Sequence, residues 1–150
     1  LGVPDQPGVS AKLFEPLAES NVNVDMIVQN TSTDGTTDIS FTMPIADMGV
    51  AEQIVLRVAD DIGATGVTHD ADIAKVSLVG AGMKSSPGIA AKMFRVLADE
   101  GINIQMISTS TIRISIIVAE SDMERAARSL HTAFGLDSGE AYSAPLPERK

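Results

Sequence analysis

The residues with the plainest chemical use in this 150-residue chain are two Pro-Gly pairs, Pro7-Gly8 and Pro87-Gly88, each directly ahead of a helical pattern. The N-terminus of a helix presents backbone N–H groups that have no partner inside the helix, and these suit a carboxylate. A small carboxylate ligand that also carries a cationic group needs two things more: an acceptor for the cation and a selective contact for the rest of the molecule. Asp5, just before the first turn, can supply a carboxylate, and Gln29 an amide. Taken alone, a Pro-Gly pair is better read as a turn that merely caps a helix, because such turns are common. Its occurrence twice, with polar residues at the same two places, favours a binding role.

Other candidates are weaker. His69, Asp70 and Asp72 have the residue types of a metal site, but their spacing at a strand end reads as a solvated turn, since three ligands need convergent geometry. His131 lies beside Leu130 on a helix and reads as a surface residue. Gly80-Ala81-Gly82 lacks the third glycine and the strand-turn-helix setting of a dinucleotide loop. Asp60 and Asp61 fit a solvated helix face. No nucleophile, base and orienting group assemble, so no catalytic residue, metal site or cofactor is expected.

The elements that must position the Pro-Gly turns repeat. Shifting the sequence by 80 residues superposes Pro7-Gly8 on Pro87-Gly88, Ala11-Lys12 on Ala91-Lys92, and Asn23, Met26 and Ile27 on Asn103, Met106 and Ile107. Ten of the 21 positions from Pro7 to Ile27 are identical, too many for chance. After a five-residue deletion, Ile39-Ser40 also matches Ile114-Ser115. The offset is too long for a solenoid unit, so the chain reads as two small domains, residues 1–73 and 74–144, with 145–150 as a flexible tail.

Each half carries the same succession. A helix follows Pro-Gly, with Ala90, Met93, Phe94, Leu97 and Ala98 as its apolar stripe in the second copy. Strands are expected at Val22–Gln29 and Ile102–Ser108. Another runs from Ile112 to Val118, where Ile112, Ile114, Ile116 and Val118 alternate with Arg113 and Ser115. A second helix follows, with Ala51, Ile54, Val55, Val58, Ala59 and Ile62, or Met123, Ala126, Ala127, Leu130 and Phe134, at helical spacing. Ser121 to Glu124 reads as a capping box. Short last strands fit Gly66–Asp70 and Glu140–Ser143, and Pro16 predicts a kink in the first helix. The order is β-α-β-β-α-β twice, with the first strand of copy one largely missing. This is an α+β class: two tandem ferredoxin-like units, antiparallel sheets with helices on one face. The opening Leu1-Gly2-Val3 reads as the tail of a strand in a trimmed or processed chain.

Composition bounds the partners. A net charge of −9 disfavours nucleic acid and anionic membranes, and 3% aromatic residues leave little for base stacking. The absence of cysteine removes disulfides and thiolate sites and fits a reducing, cytoplasmic setting. No apolar run approaches the roughly 20 residues of a membrane span.

Two such units with Pro-Gly at the first turn resemble tandem ACT domains, the amino-acid-sensing modules of metabolic enzymes. Lys75 to Met83, Ser85-Ser86-Pro87-Gly88, Asn103-Ile104, Ile107 to Ser110 and Ile112 to Ser115 resemble aspartokinase more narrowly. So do Gly2 to Gly8, Met26 to Asn30 and Asp34 to Asp38. The similarity runs from about Leu1 to Tyr142 and is closest to the regulatory β subunit or C-terminal regulatory part of that enzyme. The kinase domain has no counterpart here.

The resemblance implies a non-catalytic subunit that binds an end-product amino acid, threonine before lysine, and restrains the catalytic α subunit of aspartate kinase. Alone it would form a homodimer. Effectors in this family sit between ACT domains. One site would use Asp5, Gly8, Val9, Ser10 and Gln29, closed by Asn103 and Ile104. A weaker pseudo-symmetric site would use Met83, Ser86, Gly88, Ile89, Ser110 and Thr111, closed by Asn23 and Val24. There Ser86 replaces the family's usual His and Thr111 its usual Glu, so a lysine ammonium would lack its countercharge. A stand-alone amino-acid sensor with another partner is the alternative, and an RNA-binding domain of this fold is disfavoured by the charge.

Overall fold

A computed structural model describes residues 1–30, 34–80 and 88–138. The chain divides into two compact units, Leu1–Ala71 and Asp72–Lys150. The division precedes residue 73 because Ile73 already opens a strand, and the Asp72 carbonyl accepts the Glu120 N–H at 2.8 Å within the second unit.

In the first unit the elements are β1 (Val3–Pro4), α1 (Val9–Glu19), β2 (Ile27–Gln29), β3 (Thr36–Thr37), β4 (Ile39–Phe41) and α2 (Met48–Ile62). The strands β3 and β4 are one stretch broken at Asp38, which β1 and β2 pair from either side, both antiparallel to it. The break has a visible cause: an Asp38 carboxylate oxygen accepts the Gly2 N–H at 2.8 Å, and the Thr37 hydroxyl donates to the Asn30 carbonyl. Leu13, Leu17, Val22, Ala51, Ile54 and Val58 form the core between the helices and this sheet. Phe14 meets Phe41 edge-on, with ring centroids 5.3 Å apart.

The second unit has β5 (Ile73–Val79), α3 (Ile89–Asp99), β6 (Met106–Thr109), β7 (Arg113–Ala119) and α4 (Met123–Ala133). Its sheet runs β5-β7-β6, all antiparallel. Met93, Leu97, Ile114, Ile116, Val118, Leu130 and Phe134 are in its core. The repeat is legible in the register itself. Gln29 lies opposite Ile39, and Thr109, 80 residues on, lies opposite Ile114. This is the tandem ferredoxin-like arrangement, with paired helices over small antiparallel sheets.

Several expectations need correction. Residues 66–70 form no strand; at their start Leu1 takes the Thr65 N–H at 2.9 Å and gives its ammonium to the Gly66 carbonyl at 2.8 Å. Strands β2 and β6 begin at Ile27 and Met106, so Asn23-Val24 and Asn103-Ile104 lie in the lead-in rather than in a strand. Ile112 falls outside β7 and is 54% exposed, whereas Ser115 and Ile117, on the face away from the helices, are buried. A central strand is covered more fully than alternation alone suggests, and the Ser115 hydroxyl is satisfied by Ser77 at 2.8 Å. Ala98, Ala127 and Met123 are exposed and off the apolar stripes.

The capping box does not form. A 3-10 turn over Glu120–Asp122 precedes α4, and no side chain caps it. Asp122 instead pairs with Arg125 at 2.6 Å, and Glu124 with Arg128. Helix α1 runs unbroken from Val9 to Glu19 across Pro16, which in a helix interior costs about 3 kcal/mol. The expected strand at 140–143 and the tail at 145–150 lie outside the described residues. No helix among the described residues is long and apolar enough to cross a membrane.

Leu97 is fully buried while Ala98 beside it is exposed. Leu97→Ala is expected to destabilise the second unit by about 2–5 kcal/mol and Ala98→Ser by less than about 0.5 kcal/mol. Denaturant unfolding of the two variants checks the difference.

Candidate functional site

The first unit brings Asp5, Gly8, Val9 and Ser10 together in one tight connection from β1 into α1. The Asp5 N–H donates to the Gly35 carbonyl at 2.9 Å, and the Gln6 N–H to the Pro4 carbonyl at 3.0 Å, so the connection is fixed by its own backbone. Gly8 is the residue capping α1. Its φ of 90° is left-handed, a conformation open to glycine, and its carbonyl takes the Lys12 N–H at 3.0 Å. Pro7 therefore stands before the cap rather than in the first turn, because the left-handed glycine intervenes.

No side chain caps this helix and its first turn holds no acidic residue. The positive end of the helix is thus not offset by a carboxylate of its own, which leaves it suited to an anionic group. A Cβ added at Gly8 would meet nothing within 4 Å, so the space beside the turn is open. Asp5 and Ser10 are exposed and Val9 is half-buried.

Gln29, exposed, is the last residue of β2. Because β1 and β2 both run antiparallel to the β3–β4 stretch, they run parallel to each other. Their C-terminal ends, at Pro4 and Gln29, therefore leave the sheet at the same end. The topology puts the Asp5 carboxylate, the open helix end and the Gln29 amide on one side of one small sheet. Together these could take the ammonium, carboxylate and side chain of one amino acid.

The second unit repeats the turn with different chemistry. Gly88 caps α3 with φ 104°, its carbonyl takes the Lys92 N–H at 2.8 Å, and again no side chain caps the helix and no acidic residue stands in its first turn. Met83 and Ser86 lie outside the described residues, and Ile89 is half-buried. Ser110 and Thr111 are exposed in the turn between β6 and β7. The Ser110 N–H donates to the Arg113 carbonyl at 2.7 Å, and the Ser110 hydroxyl accepts the Ile112 N–H at 3.4 Å. By register the counterpart of Gln29 is Thr109, not Ser110 or Thr111. The repeat offset already carried that signal, since 109 is 29 plus 80. Asn23 and Asn103 are exposed, and Val24 and Ile104 half-buried in the cores of their own units.

The residues set aside fall elsewhere. His69 pairs with Glu52 at 3.4 Å, and His131 with Asp137 at 2.6 Å. Hydrogen bonds from Thr132 and then His131 hold the Asp137 carboxyl below its ordinary value. What this clasp adds to folding is therefore present above the ordinary carboxylate range and is lost as the pH falls through the lowered pKa. Asp60 and Asp61 are exposed on α2. Among the described residues no three His, Cys, Asp or Glu side chains stand where they could hold one metal ion.

The ACT domain family matches residues 1–63 and, through a second family described in the same words, residues 76–134. An aspartate kinase of Pseudomonas fluorescens is 53% identical over 137 residues, which are 91% of this chain and 33% of that protein. The chain thus spans about a third of the length of the curated relatives it matches. A solved structure of aspartokinase alpha and beta subunits contains a chain 51% identical, with TM-score 0.81, covering 89% of this chain and 87% of that one. The regulatory subunit of aspartate kinase from Thermus thermophilus, ligand-free, is 41% identical with TM-score 0.83, covering the same shares.

With nothing near the position of its missing Cβ, Gly8→Ala is expected to cost only the left-handed backbone, about 1–2 kcal/mol. Gly49→Ala, inside α2 and also in open space, is expected to stabilise by up to about 1 kcal/mol. Opposite signs in denaturant melts check the pair.

Proposed function

The chain belongs to the aspartate kinase family, as its regulatory region of two tandem ACT domains, and from that premise we propose that it is a non-catalytic amino-acid sensor that restrains an associated kinase by feedback. The effector is an end product of aspartate-family biosynthesis, threonine first. Its carboxylate sits on the open N-terminus of α1 at Gly8, Val9 and Ser10, its ammonium against Asp5, and its side chain near Gln29. A strand lead-in from a second ACT domain, carrying Asn103 and Ile104, closes it. The partner is the catalytic α subunit, in the cytoplasm, and in its absence the chain forms a homodimer.

The observation that carries this reading is the uncapped, acid-free helix start behind a left-handed glycine, with Asp5 and Gln29 at the same end of the sheet. The dimer reading draws on Ile27 and Ile107, repeat-related residues on β2 and β6 that are 49% and 45% exposed. Strands that present such edges are usually covered. Light scattering is expected to give a dimer, and a strict monomer with and without threonine would contradict it.

Calorimetry with a panel of aspartate-family amino acids tests the effector. Threonine is expected to bind, and Asp5→Ala to weaken it by about 1.5–3 kcal/mol, the scale of a charge-assisted hydrogen bond. Unchanged affinity in that variant would place the site elsewhere. At the second turn, Ser86 and Thr111 leave a lysine ammonium without a countercharge, and an unpaired ammonium in a closed pocket costs several kcal/mol. Lysine is therefore expected to bind weakly, and Thr111→Glu, with Ser86→His, to strengthen it. Tight lysine binding by the unchanged protein would defeat this part.

A further inference from the structure

We infer that the corner joining α1 to β2 is a conformational device: a weak point built into the first unit, which an effector at the Gly8 turn stiffens, the second half resting on the function proposed above. Both units turn this corner with the same bonds. In the second unit the Ile102 N–H donates to the Leu97 carbonyl at 2.9 Å and the Gly101 N–H to the Ala98 carbonyl at 3.0 Å. In the first, Val22 donates to Leu17 at 2.9 Å and Asn21 to Ala18 at 3.0 Å. This way of ending a helix requires a left-handed residue just past the cap.

Gly101 meets the requirement with φ 67°, but in the first unit the same position holds Asn21 with φ 59°. Among the described residues Asn21 is the one non-glycine with a positive φ. Asparagine tolerates this backbone better than most residues, yet its Cβ still crowds the following carbonyl. The second departure lies in the same motif. Pro16 stands where α3 has Val96, and proline has no N–H to offer the Lys12 carbonyl one turn back. Both departures weaken one corner of the first unit, and the second unit carries neither.

Segments held by fewer or poorer bonds open locally at lower free energy than the core around them. Opening at Asn21 would release Val22, which is buried in the core of the unit, and loosen β2, which ends at Gln29. An effector that touches Gly8 to Ser10 at one end of α1 and Gln29 at the end of β2 spans the corner. Binding the closed form alone, it would draw the equilibrium towards closure by linkage.

Hydrogen exchange of the full chain tests both halves. Without ligand, amides from Leu17 to Asp25 are expected to be less protected than those from Leu97 to Gln105 by about tenfold or more. A variant carrying Pro16→Val and Asn21→Gly takes the residues with which the second unit already folds. It is expected to raise protection across the first corner and leave the second unchanged. Equal protection of the two corners in the unchanged protein, or a double variant that leaves the first corner unmoved, would overturn the weak corner. Threonine is expected to slow exchange at the first corner, and to slow it less in the double variant. A weak corner that no aspartate-family amino acid stiffens would overturn the effector half alone, and calorimetric binding without stiffening would separate that failure from the absence of a sensor.

Discussion

A left-handed glycine ahead of the first helix of each unit is the constraint on which the rest depends. Gly8 and Gly88, at φ 90° and 104°, let the chain pass from strand to helix without a side chain beside the first N–H groups. A side chain with a capping oxygen there would satisfy those groups internally, as Ser, Thr, Asp or Asn does at most helix starts. Glycine gives them no side-chain partner, the Val9 N–H reaching the Gln6 carbonyl at a long 3.4 Å, and the absence of acidic residues in either first turn leaves the helix end electropositive. Stability that a cap would supply is given up at a position where an anionic ligand can restore it.

From that shared turn the two units have diverged. The first places a carboxylate and an amide, Asp5 and Gln29, at the sheet end beside its turn, and its central strand breaks at Asp38. The second has Thr109 at the register position of Gln29, and its central strand β7 is continuous and buried on both faces from Ile114 to Val118. It also has the relaxed form of the helix-ending corner, with Val96 and Gly101. The first unit is thus polar beside its turn and carries Pro16 and Asn21 at its corner, where the second has Val96 and Gly101.

Much of this could be read from the amino acids. The repeat at 80 residues fixed the unit count, and helical spacing found Ala51, Ile54, Val58, Met93, Leu97, Ala126, Leu130 and Phe134 as core. The failures have physical causes. Residues 66–70 have the composition of a strand but join no strand ladder, and His69 instead pairs with Glu52 on α2. Ser121 and Glu124 have the spacing of a capping box, but a 3-10 turn and the Arg125 and Arg128 ion pairs use those surroundings differently. Ser115 looked like the solvent side of a strand, yet Ser77 satisfies it in a buried position. For the candidate site, type and repetition pointed to Asp5, Gly8 and Gln29, and the fold puts Gly8 at the helix start and Gln29 at the end of β2. Thr109 is the register counterpart of Gln29, a relation that the 80-residue offset already carries.

An amide NMR titration with threonine tests most directly whether the Gly8 turn seats a carboxylate. The largest shifts should fall on the N–H groups of Val9, Ser10 and Ala11, with Gln29 moving in parallel and saturating at the same threonine concentration. Shifts confined to the second unit, or threonine binding that leaves the amides after Gly8 in place, would contradict it.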